Sequence, residues 1–543
     1  MREEEKDQRV RPGRPRQALG ALSGVLAGFV SLAVAELVAA GVRPQSSPVV
    51  AVGGAFIDAT PAPVKDWAIR QFGSDDKLVL QLGILAVLAA LALVLGALAT
   101  RSRVVGTAGV LVLGAAGAAA AVSRPDSGSL TDAFPSVVGA VAGTLLLYVL
   151  VGRLAEARRP SASTSDSVTE GEGDAPPAPE GWNRRGFILT AASTAAASAA
   201  VGVVGTSLNA SRGQDAVVSR GKTRLPAPGS PAQPVPRAAG LRIPGISPFV
   251  TPNSDFYRVD TALSVPKVDA TAWRLRIHGT GVQRSGTYSF DDLLGRELIE
   301  RDITLTCVSN EVGGPYVGNA RWIGVRLADL LAECGVEPPS RGGPADQLVS
   351  RSVDGMTIGS PVEDVMDGRD AMLALGMNGE PLPFEHGFPV RMVVPGLYGF
   401  VSACKWIEDI ELTTFDAYDP YWVRRGWARR APVRTASRID TPKPFARPRA
   451  GTVMIAGVAW AQQRGIEKVE VRIDDGPWQQ ADLAAEDTRD TWRQWSLPWR
   501  ATRGGHTLTV RATDRTGAVQ TERRTPTVPD GAGGWHSVVV RVD

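Results

Sequence analysis

Residues 303–314 read ITLTCVSNEVGG, a β-branched run that ends on Cys307 and gives way to polar residues and two glycines. The run predicts a strand, because β-branched side chains pack well on the pleated surface of a sheet. A cysteine thiolate at the end of a strand is a strong metal ligand, and the flexible loop beyond it leaves room for a large ligand. On this local pattern alone, a buried thiol with a packing role is favoured over a metal ligand.

The composition of the chain excludes several classes of protein. At 543 residues the chain is long enough for about three domains. The net charge is only +3, and no basic stripe is interleaved with aromatic residues, so nucleic acid is not an expected partner. The three cysteines, Cys307, Cys334 and Cys404, cannot all pair within one chain and fit no CxxC spacing. A disulfide scaffold is therefore excluded.

Residues 1–155 are predicted as a four-helix transmembrane region. Four apolar segments are long enough to cross a bilayer as helices, at about 17–40, 78–99, 104–122 and 135–152. Arginines concentrate before the first segment, between the second and third, and after the fourth, and such loops stay in the cytoplasm. We therefore expect a multi-pass protein of the cell membrane whose first and third connections are external.

Three further segments are expected to join the membrane region to a globular part. Residues 156–183 are rich in Ser, Glu, Gly and Pro, which predicts a disordered linker. Residues 184–207 begin with two arginines and continue with alanine-rich sequence, which is typical of a twin-arginine export signal or of a fifth transmembrane helix. Both alternatives leave the following residues outside the cytoplasm. Residues 208–248 are rich in Pro and Gly and are expected to form a tether.

The globular part has two regions with different patterns. Between 249 and 440 strands and helices mix: RLRIHGT and ITLT predict strands, and WIGVRLADLLAECGV at 322–336 predicts a helix that ends at Gly335. From 446 to 543 apolar and polar residues alternate, as in EKVEVRI, which comes just before an Asp-Gly hairpin signal. Short alternating strands separated by turn residues predict a β-sandwich.

A second informative segment, residues 377–406, reads MNGEPLPFEHGFPVRMVVPGLYGFVSACKW. His386 and Arg391 lie on either side of a Gly-Phe-Pro turn, and Lys405 precedes Trp406 near the start of another strand. Arginine forks and lysine ammonium groups are the usual means of binding a phosphate or another oxyanion. Separately these residues have little specificity, because most surface arginines bind nothing in particular.

Together with Cys307, these residues fit a known pattern. Over about its last 295 residues the chain resembles the sulfite oxidase family of molybdopterin-dependent oxidoreductases. The resemblance implies an α+β molybdopterin domain at 249–440 and an immunoglobulin-like dimerisation domain at 446–543. With the α-helical membrane bundle, this makes a multi-domain chain. The similar segments are TPNSDFYRVD (251–260), TCVSNEVGG (306–314), SVDGMTIGSPVEDV (352–365), NGEPLPFEHGFPVRMVVPG (378–396) and SACKW (402–406).

The resemblance also implies roles for individual residues. Cys307 would bind molybdenum directly, with the pterin completing the site. Arg258 would lie close to the metal-bound sulfur, and the implied catalytic residues are Cys307, Arg258 and Trp427. Ala403 is an alternative to Ser402 for backbone contacts to the cofactor. The implied cofactor-binding residues are Tyr257, Arg258, Cys307, Asp354, His386, Arg391, Ser402 and Lys405.

Two positions depart from the pattern of the sulfite enzymes. These place an arginine just before the Ser-x-Lys-Trp stretch, where it binds the anionic substrate, whereas this chain has Phe400 and Val401 there. A tyrosine that follows a Trp-x-Arg-Arg sequence in the sulfite enzymes corresponds here to Trp427. Both departures make the substrate pocket more apolar. A neutral sulfoxide therefore competes with charged sulfite as the expected substrate.

The sequence thus predicts an extracytoplasmic, membrane-anchored molybdopterin oxidoreductase that carries out oxygen-atom transfer. The alternatives are a sulfoxide reductase of the same superfamily and, from another class, a non-catalytic binding module on a membrane anchor. The expected partners are an oxyanion or sulfoxide substrate, an external electron carrier or quinone, the membrane, and a second copy in a homodimer. No haem is expected, because none of the four histidines lies in a membrane segment.

Overall fold

The computed structural model describes residues 14–61, 76–124, 129–156 and 213–543, together with a few single positions between these ranges. The chain divides into two units, Met1–Arg212 and Gly213–Asp543. Nearly all of the predicted linker at 156–183 and most of the segment at 184–207 lie outside the described residues, so the choice between an export signal and a fifth helix stays open.

The described part of the first unit is helical. Four of its described helices are long and apolar enough to cross a membrane, in agreement with the sequence prediction. The short apolar helix after the first of them was not predicted. In chain order the helices are α1 Arg14–Gly41, α2 Pro48–Ala59, α3 Asp76–Ala99, α4 Arg103–Ser123 and α5 Phe134–Glu156.

Two polar contacts each link the end of one long helix to the start of another. Arg43, just after α1, forms an ion pair of 2.8 Å between its Nη2 and Oδ2 of Asp132, just before α5. At the other ends, Nη2 of Arg103 donates to the carbonyl oxygen of Gly152 at 3.1 Å. The end of α1 thus meets the start of α5, and the start of α4 meets the end of α5. This is the arrangement of helices that run up and down in turn.

The second unit, which is fully described, begins with a helix at 213–222. It continues with strands and short helices. Helices α7, α8 and α9, counted with 213–222 as α6, are Phe290–Leu294, Leu327–Glu333 and Val362–Met366. The strands are β1 Arg274–Gly279, β2 Gly286–Ser289, β3 Leu298–Thr306, β4 Val317–Arg326, β5 Gln347–Ser352, β6 Thr357–Pro361, β7 Met372–Met377, β8 Glu380–Pro381, β9 Arg391–Val393 and β10 Ile407–Thr413.

These strands form two five-stranded sheets. The first has the order β2-β1-β10-β5-β6, with β1 parallel to β10. The second has the order β3-β4-β7-β8, with β9 paired to β7. The strands predicted from RLRIHGT and ITLT are therefore present as β1 and the end of β3. The molybdopterin region has the α+β character that the sequence predicted.

The helix predicted within WIGVRLADLLAECGV starts later than its apolar spacing suggested. Residues from Trp322 to Arg326 belong to β4, and the helix begins only at Leu327. Val325 lies opposite Leu298 of β3 and Leu373 of β7. Because β4 is a central strand, pairing on both sides extends the strand through residues whose spacing also fits a helix.

The described part of the predicted tether, 213–248, packs against the globular unit and is not a loose spacer. Arg220 donates from Nε to the carbonyl oxygen of Leu382 at 2.7 Å. Ser230 pairs with Ile299 at the edge of β3, and Ala239 is fully buried. The Pro- and Gly-rich composition indicated a lack of regular structure, but it did not indicate these tertiary contacts.

The C-terminal region consists of two antiparallel four-stranded sheets around a common core, as the alternating pattern predicted. The first sheet has the order β11-β12-β16-β15 and the second has the order β14-β13-β17-β18. The Asp-Gly signal lies in the hairpin between β13 and β14. The strands are β11 Ala436–Thr441, β12 Gly451–Trp460, β13 Ile466–Ile473, β14 Gln479–Gln480, β15 Asp482–Leu483, β16 Arg493–Ala501, β17 Gly504–Asp514 and β18 His536–Val542.

The stability of the sandwich should depend on this core. Leu508 of β17 is fully buried, so Leu508→Ala is expected to lower the free energy of unfolding by about 2–5 kcal/mol. Val539 on the neighbouring strand is 49% exposed, and Val539→Ala should change stability by no more than about 0.5 kcal/mol. Urea unfolding followed by tryptophan fluorescence would measure both variants. Equal midpoints for the two would contradict the assigned core.

Candidate active site

Cys307 follows β3 directly and begins a tight loop. Its backbone N–H donates to the carbonyl oxygen of Tyr316 at 2.9 Å, which closes the loop at 307–316. Inside the loop, Oδ1 of Asn310 accepts the N–H of Tyr316 at 2.8 Å. Cys307 is only 7% exposed, and it lines a cavity. The strand therefore delivers the sulfur to a cavity wall, as the sequence suggested.

The cavity has about 810 Å³ of empty space, including its open mouth. Four chain segments contribute its polar lining: the FYRVD stretch, the Cys307 loop, the segment around Asp354 and the segment that contains Arg391 and Lys405. Of the predicted site residues, six line the cavity: Tyr257, Cys307, Asp354, Arg391, Lys405 and Trp427. Ala403 lines it as well.

Arg391 begins β9 and is 5% exposed. Its Nη1 donates to the carbonyl oxygen of His386 at 3.2 Å, and its guanidinium carbon lies 5.0 Å from the ring centre of Trp322. Nε is buried and has no hydrogen-bond partner among the described residues. Burial lowers the pKa of Arg391 to about 10, which still leaves it charged at neutral pH. A buried cation with an unused donor is suited to binding an anion.

Lys405 supplies a second buried cation, held by two oxygen atoms. Its Nζ donates to Oδ2 of Asp260 at 3.0 Å and to the carbonyl oxygen of Glu385 at 3.0 Å. The same oxygen of Asp260 accepts a hydrogen bond from Nε of Arg258 at 3.0 Å. Arg258 itself is not among the residues that line the cavity. It contacts the site through Asp260, a residue to which the sequence analysis gave no role.

His386 lies behind the cavity wall and not in it. The carbonyl oxygen of Asn253 lies 2.9 Å from its Nε2, and because a carbonyl can only accept, Nε2 carries the proton. Burial, reinforced by the charges of Arg391 and Lys405, lowers the pKa of His386 to about 4. The imidazole is therefore neutral at physiological pH. The backbone carbonyl group of His386 orients the guanidinium of Arg391.

Gly387 explains why these basic residues converge. Its φ is +111°, a conformation that favours glycine. A Cβ atom at this position would lie 3.0 Å from Cβ of Arg391 and 3.1 Å from Cβ of Lys405. The turn after His386 thus lets the backbone pass close to both cations.

Ser402 and Cys404 are fully buried and do not line the cavity. The hydroxyl of Ser402 donates to the carbonyl oxygens of Leu397 and Tyr398 at 3.1 and 3.0 Å, so its side chain stabilises the turn that precedes Lys405. Burial raises the pKa of the Cys404 thiol to about 12. Cys404 is therefore a neutral packing residue.

Two further predicted residues, Asp354 and Tyr257, face the cavity. Asp354 accepts hydrogen bonds from Oγ1 of Thr261 and from the N–H of Met356, both at 3.3 Å. Burial and the charge of Cys307 raise the pKa of Tyr257, so its phenol stays protonated. Its ring stacks on Phe256 with the ring centres 5.1 Å apart.

An aromatic wall completes the cavity. Phe400 and Trp427 pack with ring centres 5.5 Å apart, and Trp422 meets Trp427 at 6.2 Å. The sequence analysis identified Phe400 and Trp427 as departures from the sulfite enzymes, but it missed Trp422. The four residues that separate Trp422 from the predicted Trp427 contained no signal that both rings would face the same cavity.

Comparisons with known proteins identify the family of this part of the chain. The model of the oxidoreductase molybdopterin binding domain matches residues 262–422. The chain is 31% identical to human mitochondrial sulfite oxidase over 290 residues, which cover 46% of this chain and 53% of that protein. It is 33% identical to the uncharacterized oxidoreductase YuiH of Bacillus subtilis over 162 residues, which cover 30% of this chain and 75% of YuiH.

Solved structures also match, among them a sulfane dehydrogenase. The sulfane dehydrogenase SoxCD from Paracoccus pantotrophus is 25% identical, with a TM-score of 0.47, over 54% of this chain and 84% of that chain. The chain spans about half the length of the curated mammalian relatives it matches.

Fold, site and relatives define a molybdenum-dependent oxidoreductase. The chain belongs to the sulfite oxidase family of molybdopterin-dependent oxidoreductases. The alternative of a non-catalytic binding module is thereby set aside.

The buried neutral state of His386 predicts a pH effect on stability. Its pKa is about 4 in the folded protein against an ordinary value of 6.5. The unfolded chain therefore binds more protons between these values, and stability is lost as the pH falls from about 6.5 to 4. His386 should contribute on the order of 3 kcal/mol to this loss. His386→Gln should flatten the dependence, measured as the urea midpoint at several pH values.

His506 provides a matched control for that experiment. Its hydrogen bond to Asp474 raises its pKa, so its contribution is fully present below pH 6.5 and is lost only as the pH rises. His506→Gln should therefore leave the slope between pH 4 and 6 unchanged. The same slope in His386→Gln and in the unaltered protein would contradict the assignment.

Proposed function

We propose that this chain is a membrane-anchored oxygen-atom-transfer enzyme whose molybdenum cofactor is held by Cys307, Arg391 and Lys405. The observation that carries the proposal is that Cys307 lines the same cavity as Arg391 and Lys405, which lie 84 and 98 residues further along the chain. When bound, the cofactor supplies a metal that accepts or donates two electrons while an oxygen atom is transferred.

The donor set fits this cofactor. A thiolate is a suitable ligand for molybdenum, so Cys307 is the proposed metal ligand. The unused Nε of Arg391 and the ammonium of Lys405 are suited to the phosphate of the pterin. His386 and Ser402, which lie behind the wall, are proposed to orient Arg391 and the turn before Lys405. Asp354 and the backbone at Ala403 are proposed to contact the pterin.

Three residues are proposed to act on the substrate side of the cavity. Tyr257 keeps its phenol proton, so it is available as a hydrogen-bond donor to an oxygen of the substrate. Trp427 is proposed to form the apolar wall against which the substrate packs. Arg258 reaches this region through Asp260, so we propose that it supports Lys405 and attracts anions to the cavity mouth.

The aromatic wall favours a second candidate function. Phe400, Trp422 and Trp427 line the side of the cavity where the sulfite enzymes are expected to place a cation. A neutral sulfoxide loses less on entering such a wall than a charged sulfite ion does. Reduction of a sulfoxide, with the same residues holding the cofactor, is therefore the alternative to sulfite oxidation.

The setting of the enzyme is proposed from the membrane part. The arginine-rich ends of the helices are proposed to face the cytoplasm. The segment at 184–207, as an export signal or a fifth helix, is proposed to carry the catalytic unit to the outside. The contacts of Arg43 with Asp132 and of Arg103 with Gly152 support an alternating path of the helices. An external carrier or a quinone is proposed to exchange electrons with the enzyme. The C-terminal sandwich is proposed to be an immunoglobulin-like domain that forms a homodimer.

Loss of the Cys307 sulfur should remove the metal. We expect Cys307→Ser to purify folded but without molybdenum, because a hydroxyl is a much weaker ligand than a thiolate. Cys334 lies elsewhere, with its Sγ 3.3 Å from the hydroxyl of Tyr288, and Cys334→Ser should keep the metal. Metal analysis of both variants, produced in a host that makes the cofactor, would measure this. Molybdenum retained in Cys307→Ser with an unchanged thiolate-to-metal absorption would exclude Cys307 as the ligand.

The nature of the substrate can be read from the thiolate-to-metal absorption. We expect sulfite to bleach this absorption in the oxidised enzyme. Phe400→Arg should lower the sulfite concentration for half-bleaching about tenfold or more, because it supplies a charged partner in the apolar wall. Phe400→Leu, which keeps the wall apolar, is the control. No bleaching with molybdenum present, and reoxidation of the reduced enzyme by a sulfoxide, would instead identify a reductase.

A further inference from the structure

Gly313 and Gly314, the two glycines of the Cys307 loop, contact the C-terminal sandwich. Gly313 has a φ of +81°, which favours glycine. A Cβ atom at this position would overlap the imidazole ring of His536, the first residue of β18. The ring thus occupies the place where a side chain of the loop would lie.

Arg438 of β11 holds the second glycine. Its Nη1 donates to the carbonyl oxygen of Gly314 at 2.8 Å. The guanidinium is fixed by two other contacts, from Nε to Oδ1 of Asp440 at 2.7 Å and from Nη2 to Oγ of Ser247 at 2.9 Å. Arg438 and Asp440 are 9% and 3% exposed, so this ion pair is buried.

His536 is attached to the same stretch of β11. Its Nδ1 accepts the backbone N–H of Ile439 at 3.0 Å, between Arg438 and Asp440. The ring and the guanidinium therefore form one rigid surface that contacts Gly313 and Gly314 from the sandwich side.

The strand before Cys307 is also held from the C-terminal region. Nε2 of Gln462 donates to the carbonyl oxygen of Thr304 at 2.7 Å, and the N–H of Trp492 donates to Oγ1 of Thr304 at 2.7 Å. Thr304 lies three residues before Cys307. The loop is thus held from the sandwich on both sides of the cysteine.

From these contacts we propose that Arg438 and His536 are positioning residues, which set the place of the Cys307 sulfur in the cavity. The hydrogen bond from Cys307 to Tyr316 closes the loop, so a shift of Gly313 or Gly314 moves Cys307 as well. The C-terminal region then determines part of the geometry of the metal site, in addition to any role in dimerisation. This inference rests on Cys307 being the molybdenum ligand, but not on which substrate the enzyme takes.

The test uses the full chain in detergent, produced without cofactor, and measures alkylation of each cysteine by iodoacetamide with peptide mass spectrometry. Gly313→Ala introduces the methyl group that overlaps His536, and Cys307 should then react about tenfold faster, because local opening is easier. Gly517→Ala is the matched control: its φ is +84°, but no atom lies within 4 Å of the added methyl. It should react like the unaltered chain.

Two further variants separate positioning from general stability. His536→Ala should also speed the reaction of Cys307, and the double variant Gly313→Ala with His536→Ala should return it towards the original rate, because the methyl then occupies the vacated space. Arg438→Gln should speed the reaction, and Arg438→Lys should restore it in part. The same variants, loaded with cofactor, should show a shifted thiolate-to-metal absorption, whereas Gly517→Ala should not.

Cys334 and Cys404, which are 1% and 0% exposed, provide an internal control. A local effect accelerates Cys307 alone. Equal acceleration of all three cysteines in Gly313→Ala and in Arg438→Gln would indicate a general loss of folding and overturn the proposal. Reaction of Cys307 in Gly313→Ala at the rate of Gly517→Ala would overturn it as well. An unchanged thiolate-to-metal absorption in molybdenum-loaded Cys307→Ser would contradict the ligand assignment while leaving the alkylation result intact.

Discussion

Burial of the Arg391 guanidinium is the constraint on which the rest of the site depends. Removing a cation from water costs several kcal/mol unless neighbouring groups compensate for the lost hydration. Here the compensation is partial: the His386 carbonyl accepts one N–H, the ring of Trp322 lies 5.0 Å from the guanidinium carbon, and Nε has no partner among the described residues. The unused Nε leaves a capacity to bind an anion, which we propose is met by the phosphate of the cofactor.

The surrounding elements are arranged around the buried charge of Arg391. Arg391 lies on the short strand β9, which pairs with β7 on one side, and on the other side Arg391 itself pairs with Lys405. Gly387 lets the preceding turn approach both Arg391 and Lys405. Lys405 in turn needs Asp260 as a counter-ion, and Asp260 also binds Arg258. The two cations Arg391 and Lys405 can therefore lie close together in a partly apolar cavity.

The thiol side of the cavity is built differently. Cys307 ends a strand whose neighbours are contributed by both parts of the unit, and the core that contains Ile303 and Trp322 also includes Trp460 and Trp492 of the C-terminal region. Shared burial of this kind makes the two regions a single body. The position of the sulfur is consequently a property of the interface between them and not of the loop alone.

Much of this protein was predictable from its sequence, and the reason is that the successful predictions were local. Runs of about twenty apolar residues predicted the membrane helices, and the period-two alternation predicted the sandwich, because each pattern reflects the geometry of one element. The Cys307 and His386–Arg391 motifs likewise predicted residues of the cavity wall and its support. These predictions needed no knowledge of how the segments meet.

The tertiary structure alone decided the rest. It paired Lys405 with Asp260, brought Trp422 beside Trp427, turned His386 and Ser402 away from the cavity, and packed the Pro-rich segment before 249 against the globular unit. It also extended β4 through residues whose spacing fits a helix. Each of these outcomes is set by contacts between residues far apart in sequence, whose energies are absent from any single segment. The sequence determined which elements form and which groups carry the chemistry, and long-range packing decided where those groups point.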